Sequence, residues 1–346
     1  MILLRFLKNN RTGGVVGFIV LSVAIFLKSF IQSGGSGGIG VPGTAGGIGA
    51  AGTSGLVACS DMPFYNLLFG AIHTTPVLNR FITLVILWIL SYTLIRMSIR
   101  YVLIEFRSFM PAVFFLLFSL ALPETQHVSP ALVGSLFYLI CFAILFGVHD
   151  KPPDTFSVFN AGVVLALGSM FYLRLIWFVP LIWISLGALR TVTWREIFYP
   201  VVAYLILGLF LVTWYWVVLD DGAVLKTLIS KNLAFERSFE ARHFSVYIYY
   251  GFMTLLVFLA SIYMIVRFQS RKTMIQNIFQ VMFYMFVCGG LFFLFITRFD
   301  LVSLVYIGIP VSYILSNYFH RKRNHWMHEV VLWIVVGLLV FAQWMV

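Results

Sequence analysis

Apolar runs of about 20 residues recur along this chain, and the connections between them carry most of its charge. A bilayer core about 30 Å thick is crossed by roughly 20 residues of α-helix, so such runs are typical of transmembrane spans. The 346 residues are 61% hydrophobic and only 10% charged, which leaves too little polar surface to cover a water-soluble globule. We therefore expect an all-α, polytopic membrane protein that forms a single integral membrane domain over residues 1–346.

The apolar runs predict eleven transmembrane helices, with boundaries uncertain by about three residues. They lie near residues 15–32, 81–98, 109–123, 130–148, 161–173, 175–189, 200–219, 245–266, 280–297, 302–319 and 327–346. The first run follows a basic stretch, but no small-residue cleavage site closes it. We expect it to remain as a membrane span.

Basic residues predict the orientation of these spans. With eleven helices, a majority of the 23 Lys and Arg residues fall in connections on one side, which the positive-inside rule assigns to the cytoplasm. They are Arg5, Lys8, Arg11, Arg96, Arg100, Arg107, Lys151, Arg190, Arg195, Arg267, Arg271, Lys272, Arg321, Lys322 and Arg323. The N-terminus is then cytoplasmic and the C-terminus extracytoplasmic. The net charge of +11 is a topology signal, with membrane lipids rather than nucleic acid as the predicted partner.

A glycine-rich tract interrupts the chain after the first span. Residues 33–56 offer almost no side chains for packing, and we interpret them as a flexible extracytoplasmic linker. Residues 35–40 spell G-x-G-x-x-G, but no strand feeds this loop, so we predict no nucleotide site. Cys59 lies too far beyond the apolar run for a lipobox. Residues 57–80 form the first outer loop, with a short amphipathic helix from Asn66 to His73.

Residues 220–244 form a second outer loop, which departs locally from the charge rule. Leu225, Ile229 and Leu233 recur near helical spacing, so part of the loop is predicted to lie in the membrane interface as an amphipathic helix. Its basic residues are Lys226, Lys231, Arg237 and Arg242. Either Arg237 and Arg242 pair with Glu236 and Glu240 at neighbouring turns, or the segment forms a gate that helps to bind a phosphate or pyrophosphate head.

Several short motifs carry a resemblance to known proteins. Residues 159–172 read FNAGVVLALGSMFY, and an aromatic apolar run then ends at Arg190 before TWRE at 193–196. LPE at 122–124, SPAL at 129–132 and MPFY at 62–65 belong to the same pattern. Along the whole chain this resembles a Bacteroidota family of polytopic inner-membrane proteins, described as a domain of unknown function. The resemblance implies a bacterial inner membrane, in which the extracytoplasmic C-terminus predicted from the basic residues is periplasmic.

More distantly, the layout resembles the C-type (GT-C) glycosyltransferases, membrane enzymes that use polyprenyl-phosphate-linked sugars. The resemblance implies catalysis at the outer face, with a base in the first outer loop, where Asp61 is the acid. Glu124 is a second candidate carboxylate near this face; alternatively it is an exposed loop acid. The family's adjacent pair of acids is missing from the first loop, so a divalent metal has no support and no cofactor is predicted.

Arg174 is the leading candidate for contact with a lipid phosphate. An arginine near membrane depth costs about 3 kcal/mol unless it snorkels or finds an anion. Snorkelling to headgroups beside Tyr172 and Trp177 is the alternative. Lys231, Arg237 and Arg242 are the further phosphate candidates.

The histidines and cysteines do not predict a metal site or a disulfide framework. Cys59, Cys141 and Cys288 are scattered along the chain. His320, His325 and His328 lie beside a basic cluster at the predicted cytoplasmic side, where we expect them to meet headgroups.

The sequence leaves two classes of function open. One is a glycosyltransferase that uses a polyprenyl-phosphate-linked sugar at the periplasmic face. The other is a non-enzymatic subunit of an envelope assembly or secretion complex, whose outer loops contact protein partners. A transporter is disfavoured because the chain shows no internal repeat of broken helices.

Overall fold

A computed structural model describes residues 11–35, 62–69, 75–101, 103–104, 108–119, 121–149, 156–218, 229–230, 243–267, 273–297, 299–319 and 325–345. Twelve α-helices occur within these ranges: α1 Arg11–Gly35, α2 Pro63–Phe69, α3 Pro76–Arg100, α4 Met110–Ser119, α5 Pro130–Phe146, α6 Phe156–Phe171, α7 Val179–Leu189, α8 Trp194–Thr213, α9 Phe244–Arg267, α10 Thr273–Leu291, α11 Leu304–Phe319 and α12 His325–Met345. Short 3₁₀ turns cover Pro123–Thr125, Leu173–Phe178 and Leu301–Ser303, and π-helical turns extend α8 and α10.

Seven of the described helical segments are long and apolar enough to cross a membrane: Gly14–Ile31, Val77–Arg100, Trp194–Val217, Phe244–Val266, Thr273–Ile296, Leu301–Phe319 and Trp326–Met345. The described residues contain no β-strand, so the chain is an all-α, multi-pass membrane protein. Four further apolar segments are shorter, at Met110–Ser119, Pro130–Phe146, Phe156–Phe171 and Leu173–Leu189. Every predicted span overlaps one of these helices, and the crossing of the bilayer by the four short ones stays a prediction.

Helices α4 and α11 lie inside the bundle. All residues of α4 are buried, and 83% of the Leu301–Phe319 segment, which contains α11, is buried as well. Tyr313 of α11 donates a hydrogen bond to the Leu94 carbonyl of α3 at 2.7 Å, and Tyr249 of α9 donates to the Leu117 carbonyl. A helix that is surrounded by protein does not need to match the thickness of the lipid, which accounts for the short length of α4.

Contacts between helix ends show that α1 and α3–α12 alternate in direction. At one end, Lys28 near the end of α1 donates to the Gln343 carbonyl near the end of α12. Gln343 Nε2 in turn donates to the Ala121 carbonyl at 2.6 Å, just after α4. We call this end, where α1 and α12 finish, the top of the bundle, and the opposite end the bottom. The predicted topology makes the top extracytoplasmic.

The bottom of the bundle contains a buried ion pair. Arg190, which ends α7, pairs with the fully buried Glu196 in the first turn of α8. Glu196 Oε2 also accepts from the Thr193 backbone N–H at 3.3 Å, which caps the helix. The start of α8 was predicted near residue 200, six residues too late, because Arg195 and Glu196 were interpreted as loop charges.

Helices α6 and α10 also begin earlier than predicted, at Phe156 rather than near 161 and at Thr273 rather than near 280. Three further differences have local reasons. Helix α3 begins at Pro76 rather than near 81, because a proline fits the first helical position after Thr75. Helix α4 ends at Ser119 rather than near 123, and Pro123 instead starts a 3₁₀ turn. The short helix expected from Asn66 to His73 is found earlier, at Pro63–Phe69.

The expectation for His328 is wrong. Its side chain is buried in α12, with its ring 5.2 Å from the rings of both Tyr318 and Phe319, rather than among headgroups. The physical reason is that the imidazole ring of His328 packs against two aromatic rings inside the bundle. His320 lies outside the described residues, as does the side chain of His325.

The orientation can be tested by cysteine labelling. In a background whose three native cysteines are alanine, Asn232→Cys should react with an impermeant maleimide added outside the cell. Ser270→Cys should react only after the membrane is opened, because it lies in a connection rich in basic residues. The reverse pattern would invert the top and the bottom of the bundle.

The glycine tract should be dispensable for folding. Residues 36–61 lie outside the described part of the structure, and α1 runs to Gly35, three residues past its predicted end. Shortening residues 36–55 to a few glycines should leave the yield and melting temperature in detergent unchanged, because glycine adds little buried surface and much ordering entropy. A marked loss of melting temperature would mean that the tract packs against the bundle.

Candidate functional site

Helix α2 anchors the chain that follows Asp61 to the top of the bundle. Met62 and Tyr65 are buried, and the Tyr65 hydroxyl donates to the Val128 carbonyl at 2.8 Å. Burial raises the pKa of the Tyr65 phenol, so it remains a donor. The ring of Phe64 lies 6.1 Å from the ring of Phe171, the last residue of α6. Asp61 itself lies outside the described residues, one position before Met62.

The 3₁₀ turn after α6 buries Arg174. This side chain is only 7% exposed, and it has an interaction partner. The turn begins with Tyr172, whose ring stacks on that of Tyr306 at 6.2 Å. The Tyr306 hydroxyl donates to the Ala131 carbonyl at 2.9 Å, so the turn is attached to α5 and α11 together. The turn therefore places the buried Arg174 at the top of the bundle.

Two glycines permit this position. Leu175, next to Arg174, packs over Gly134 of α5 and Gly168 of α6. A Cβ at either glycine would lie 3.0 Å from Leu175 Cδ1, which is closer than carbon atoms pack. Gly162 is the other glycine of the 159–172 stretch. A Cβ at Gly162 would lie 2.8 Å from the Pro200 Cα of α8. The glycines of the 159–172 stretch thus set the packing of α6 on both sides.

The turn that contains Glu124 lies at the same end. Thr125 closes it by donating to the Leu122 carbonyl at 2.9 Å. Gln126, the next residue, donates to the Ile25 carbonyl of α1 at 3.4 Å and accepts from Ser29. Since Val128 two residues later binds Tyr65, the Glu124 backbone lies on a segment that contacts α2. The Glu124 side chain falls outside the described part.

Helix α2, the segment 121–129 that contains Glu124, and the end of α6 next to Arg174 therefore meet at the top of the bundle. Lys231, Arg237 and Arg242 lie outside the described residues, so their placement stays a prediction. Of the predicted interfacial helix, the structure describes Ile229 and Ser230, which are helical and exposed.

Two residues at this end were missed by the sequence reasoning. Arg80 lies in the first turns of α3, and its buried Nη1 has no hydrogen-bond partner among the described residues. Its neighbour Asn79 accepts from the Val128 backbone at 2.8 Å, so Arg80 sits beside the same connection. In the sequence, Arg80 stands directly before the span predicted near residues 81–98. The signal that could have found it is a cation inside the first turn of an apolar helix.

Asp300 is the second missed residue. It follows Phe299, whose φ of 69° is in the left-handed region, and its Oδ1 accepts from the Val302 backbone at 3.2 Å. Thr297 and Ser303 share a hydrogen bond of 2.8 Å beneath it. An aspartate between two apolar runs is a helix-cap signal that the sequence offered. The carboxylate begins the turn that leads to Tyr306, and through it to Tyr172.

Metal-binding and thiol chemistry find no support among the residues that the structure describes. Nowhere in these ranges do three His, Cys, Asp or Glu side chains come together in a way that could hold a metal ion. Cys141 is a buried free thiol and Cys288 a half-buried one.

Comparisons with protein-family models, with curated proteins and with solved structures gave no match. The resemblance to the Bacteroidota family and the more distant one to GT-C glycosyltransferases stay predictions from the sequence.

Proposed function

We propose that the protein is a membrane glycosyltransferase that uses a polyprenyl-phosphate-linked sugar at the periplasmic face of a bacterial inner membrane. The observation that supports this most is the buried Arg174 at the end of the bundle where α2 holds the chain next to Asp61. Transfer of a sugar from a lipid phosphate requires a carboxylate base and a cation for the phosphate at the same membrane face.

The proposed reaction balances with these two groups. The acceptor hydroxyl gives its proton to the Asp61 carboxylate, and its oxygen forms a bond to the anomeric carbon. The bond from that carbon to the phosphate oxygen breaks, and its electron pair leaves with the polyprenyl phosphate. Arg174 binds the phosphate as this charge develops, because a guanidinium forms charge-assisted hydrogen bonds with it. Glu124 is the second carboxylate, and Arg80 is a further cation beside its connection.

Burial makes phosphate a suitable ligand for these cations. An arginine away from water is stabilised by an anion, and the phosphate of a lipid donor lies at the depth where a span ends. The loop cations Lys231, Arg237 and Arg242 complete the proposed site as a gate over the phosphate head.

A lipid donor must also enter from the side, and α8 offers a place for this. Only 11% of its membrane segment is buried, so most of α8 faces lipid. Phe210, near its upper end, lies 6.5 Å from Phe64 of α2 by ring centroids. The polyprenyl chain would lie along this exposed face, while its phosphate reaches the top of the bundle.

The experiment is transfer of a labelled sugar from polyprenyl phosphate by the purified protein in detergent, with membrane extract as the source of acceptors. We expect labelled product from the wild type and none from heat-inactivated protein. The glycosyltransferase proposal would be rejected if the wild type neither bound the donor nor transferred sugar, and if Asp61 and Arg174 variants were fully functional in the cell. The non-enzymatic envelope subunit would then be the better account.

A further inference from the structure

A shallow groove of about 380 Å³ lies on the outward face of α3, in its lower half. Its lining residues are Tyr92, Ile95, Arg96, Ile99 and Arg100. They are spaced by three or four positions, so they share one face of the helix. Tyr92 is 65% exposed, and Arg96 and Arg100 are exposed too. The groove therefore combines an apolar floor with two cations at the bottom end of a membrane span.

Both arginines lack an acidic partner in the described part of the chain. The ion pair found there is Arg190 with Glu196, and it belongs to the start of α8. Exposed arginines in the last two turns of a span extend their guanidinium groups to the level of the lipid headgroups. Their charge is available to an anion that comes from the membrane.

The position of Arg100 is set by its neighbours. Its guanidinium carbon lies 5.6 Å from the ring centroid of Tyr101, in a cation–π contact. Tyr101 is buried, and its hydroxyl donates to the Ala143 carbonyl of α5 at 3.0 Å. Its ring also packs edge-on against Phe146 at 5.7 Å. The charge is thus held by a ring that is itself fixed to a second helix.

We propose that this groove binds one acidic phospholipid, with the phosphate between Arg96 and Arg100 and an acyl chain over Ile95 and Ile99. Four residues of α-helix rise about 6 Å, so the guanidinium groups of Arg96 and Arg100 can both contact one phosphate that lies between them. The Tyr92 ring lies one turn deeper and contacts the chain. This site is at the opposite end of the bundle from the proposed donor site and does not depend on it.

Native mass spectrometry of the full chain, titrated with phosphatidylglycerol or phosphatidylcholine, tests the proposal. Wild type should retain one phosphatidylglycerol at concentrations where phosphatidylcholine is not retained. The Arg96→Gln/Arg100→Gln variant should raise the Kd for phosphatidylglycerol by about tenfold or more, because two cations near the headgroup are lost. Each single variant should have part of this effect.

Arg195→Gln is the matched control, since Arg195 is an exposed arginine at the bottom of the bundle that does not line the groove. It should leave the Kd unchanged, and all variants should melt as wild type does. An unchanged Kd in the double variant would overturn the proposal. So would an equal effect of Arg195→Gln, since lipid would then respond to net charge alone.

Discussion

Replacing Asp61 by asparagine should lower the turnover of sugar transfer by a factor of roughly 10² or more, while binding of the lipid donor persists. Asparagine keeps the size and hydrogen-bonding capacity of the side chain, but it cannot accept the proton of the acceptor hydroxyl. The measurement is the initial rate of labelled product at saturating donor, with donor affinity determined separately.

Asp150→Asn is the control for this variant, because Asp150 falls in the sequence between α5 and α6, in a connection that the predicted topology places on the cytoplasmic side. It makes the same chemical change and should retain wild-type turnover. If the Asp61 variant also kept full turnover, the proton would have to go to another group.

Gly308→Ala should destabilise the bundle, because a methyl group at this position meets atoms of α4. A Cβ at this position of α11 would overlap Ser119 Oγ of α4, and it would lie 3.4 Å from the ring of Phe115. Both helices are buried, so neither has room to move away. Overpacking of this kind costs about 1–3 kcal/mol, which should appear as a lower melting temperature in detergent.

A second substitution separates overpacking from other causes. Ser119 Oγ is buried and has no hydrogen-bond partner among the described residues, so Ser119→Ala alone should change stability little. Combined with Gly308→Ala, it removes the overlapping atom and should restore most of the lost melting temperature. Absence of such rescue would contradict the packing of α4 against α11.

Gly290 provides the matched control within α10. A Cβ there meets no atom within 4 Å, so Gly290→Ala should be neutral or stabilising by about 1 kcal/mol at most. A loss equal to that of Gly308→Ala would show that helical glycines matter for a reason other than close approach.

The fold was predictable where hydropathy alone decides it. Helix α9 begins at Phe244, one residue from its predicted start, because an apolar run against polar flanks marks a span clearly. Helix α8 was misplaced because Glu196 is buried through its pairing with Arg190, and a partner six residues earlier is not a pattern that hydropathy detects. Burial of charge by tertiary contact explains this error.

The candidate site was predictable only in part for the same reason. Arg174 could be singled out because an arginine near membrane depth is costly. The position of its turn, however, depends on Leu175 packing over Gly134 and Gly168, and the sequence does not show this packing. Arg80 carries no motif, and its unpartnered nitrogen is visible only in the structure. Sequence spacing does not reveal that α2 joins residues 121–129 to α6.

The central claim is that Arg174 binds a lipid phosphate at the top of the bundle. The most direct test is to measure the binding of polyprenyl phosphate to the purified protein. The control is Arg195→Gln, which removes an exposed guanidinium at the bottom of the bundle. If Arg174→Gln melts early, Arg174→Lys replaces it as a variant that keeps the charge. Wild type and Arg195→Gln should bind equally, Arg174→Lys should bind in part, and Arg174→Gln should bind at least tenfold more weakly. Equal affinity of all four proteins, or no binding by the wild type, would contradict the account.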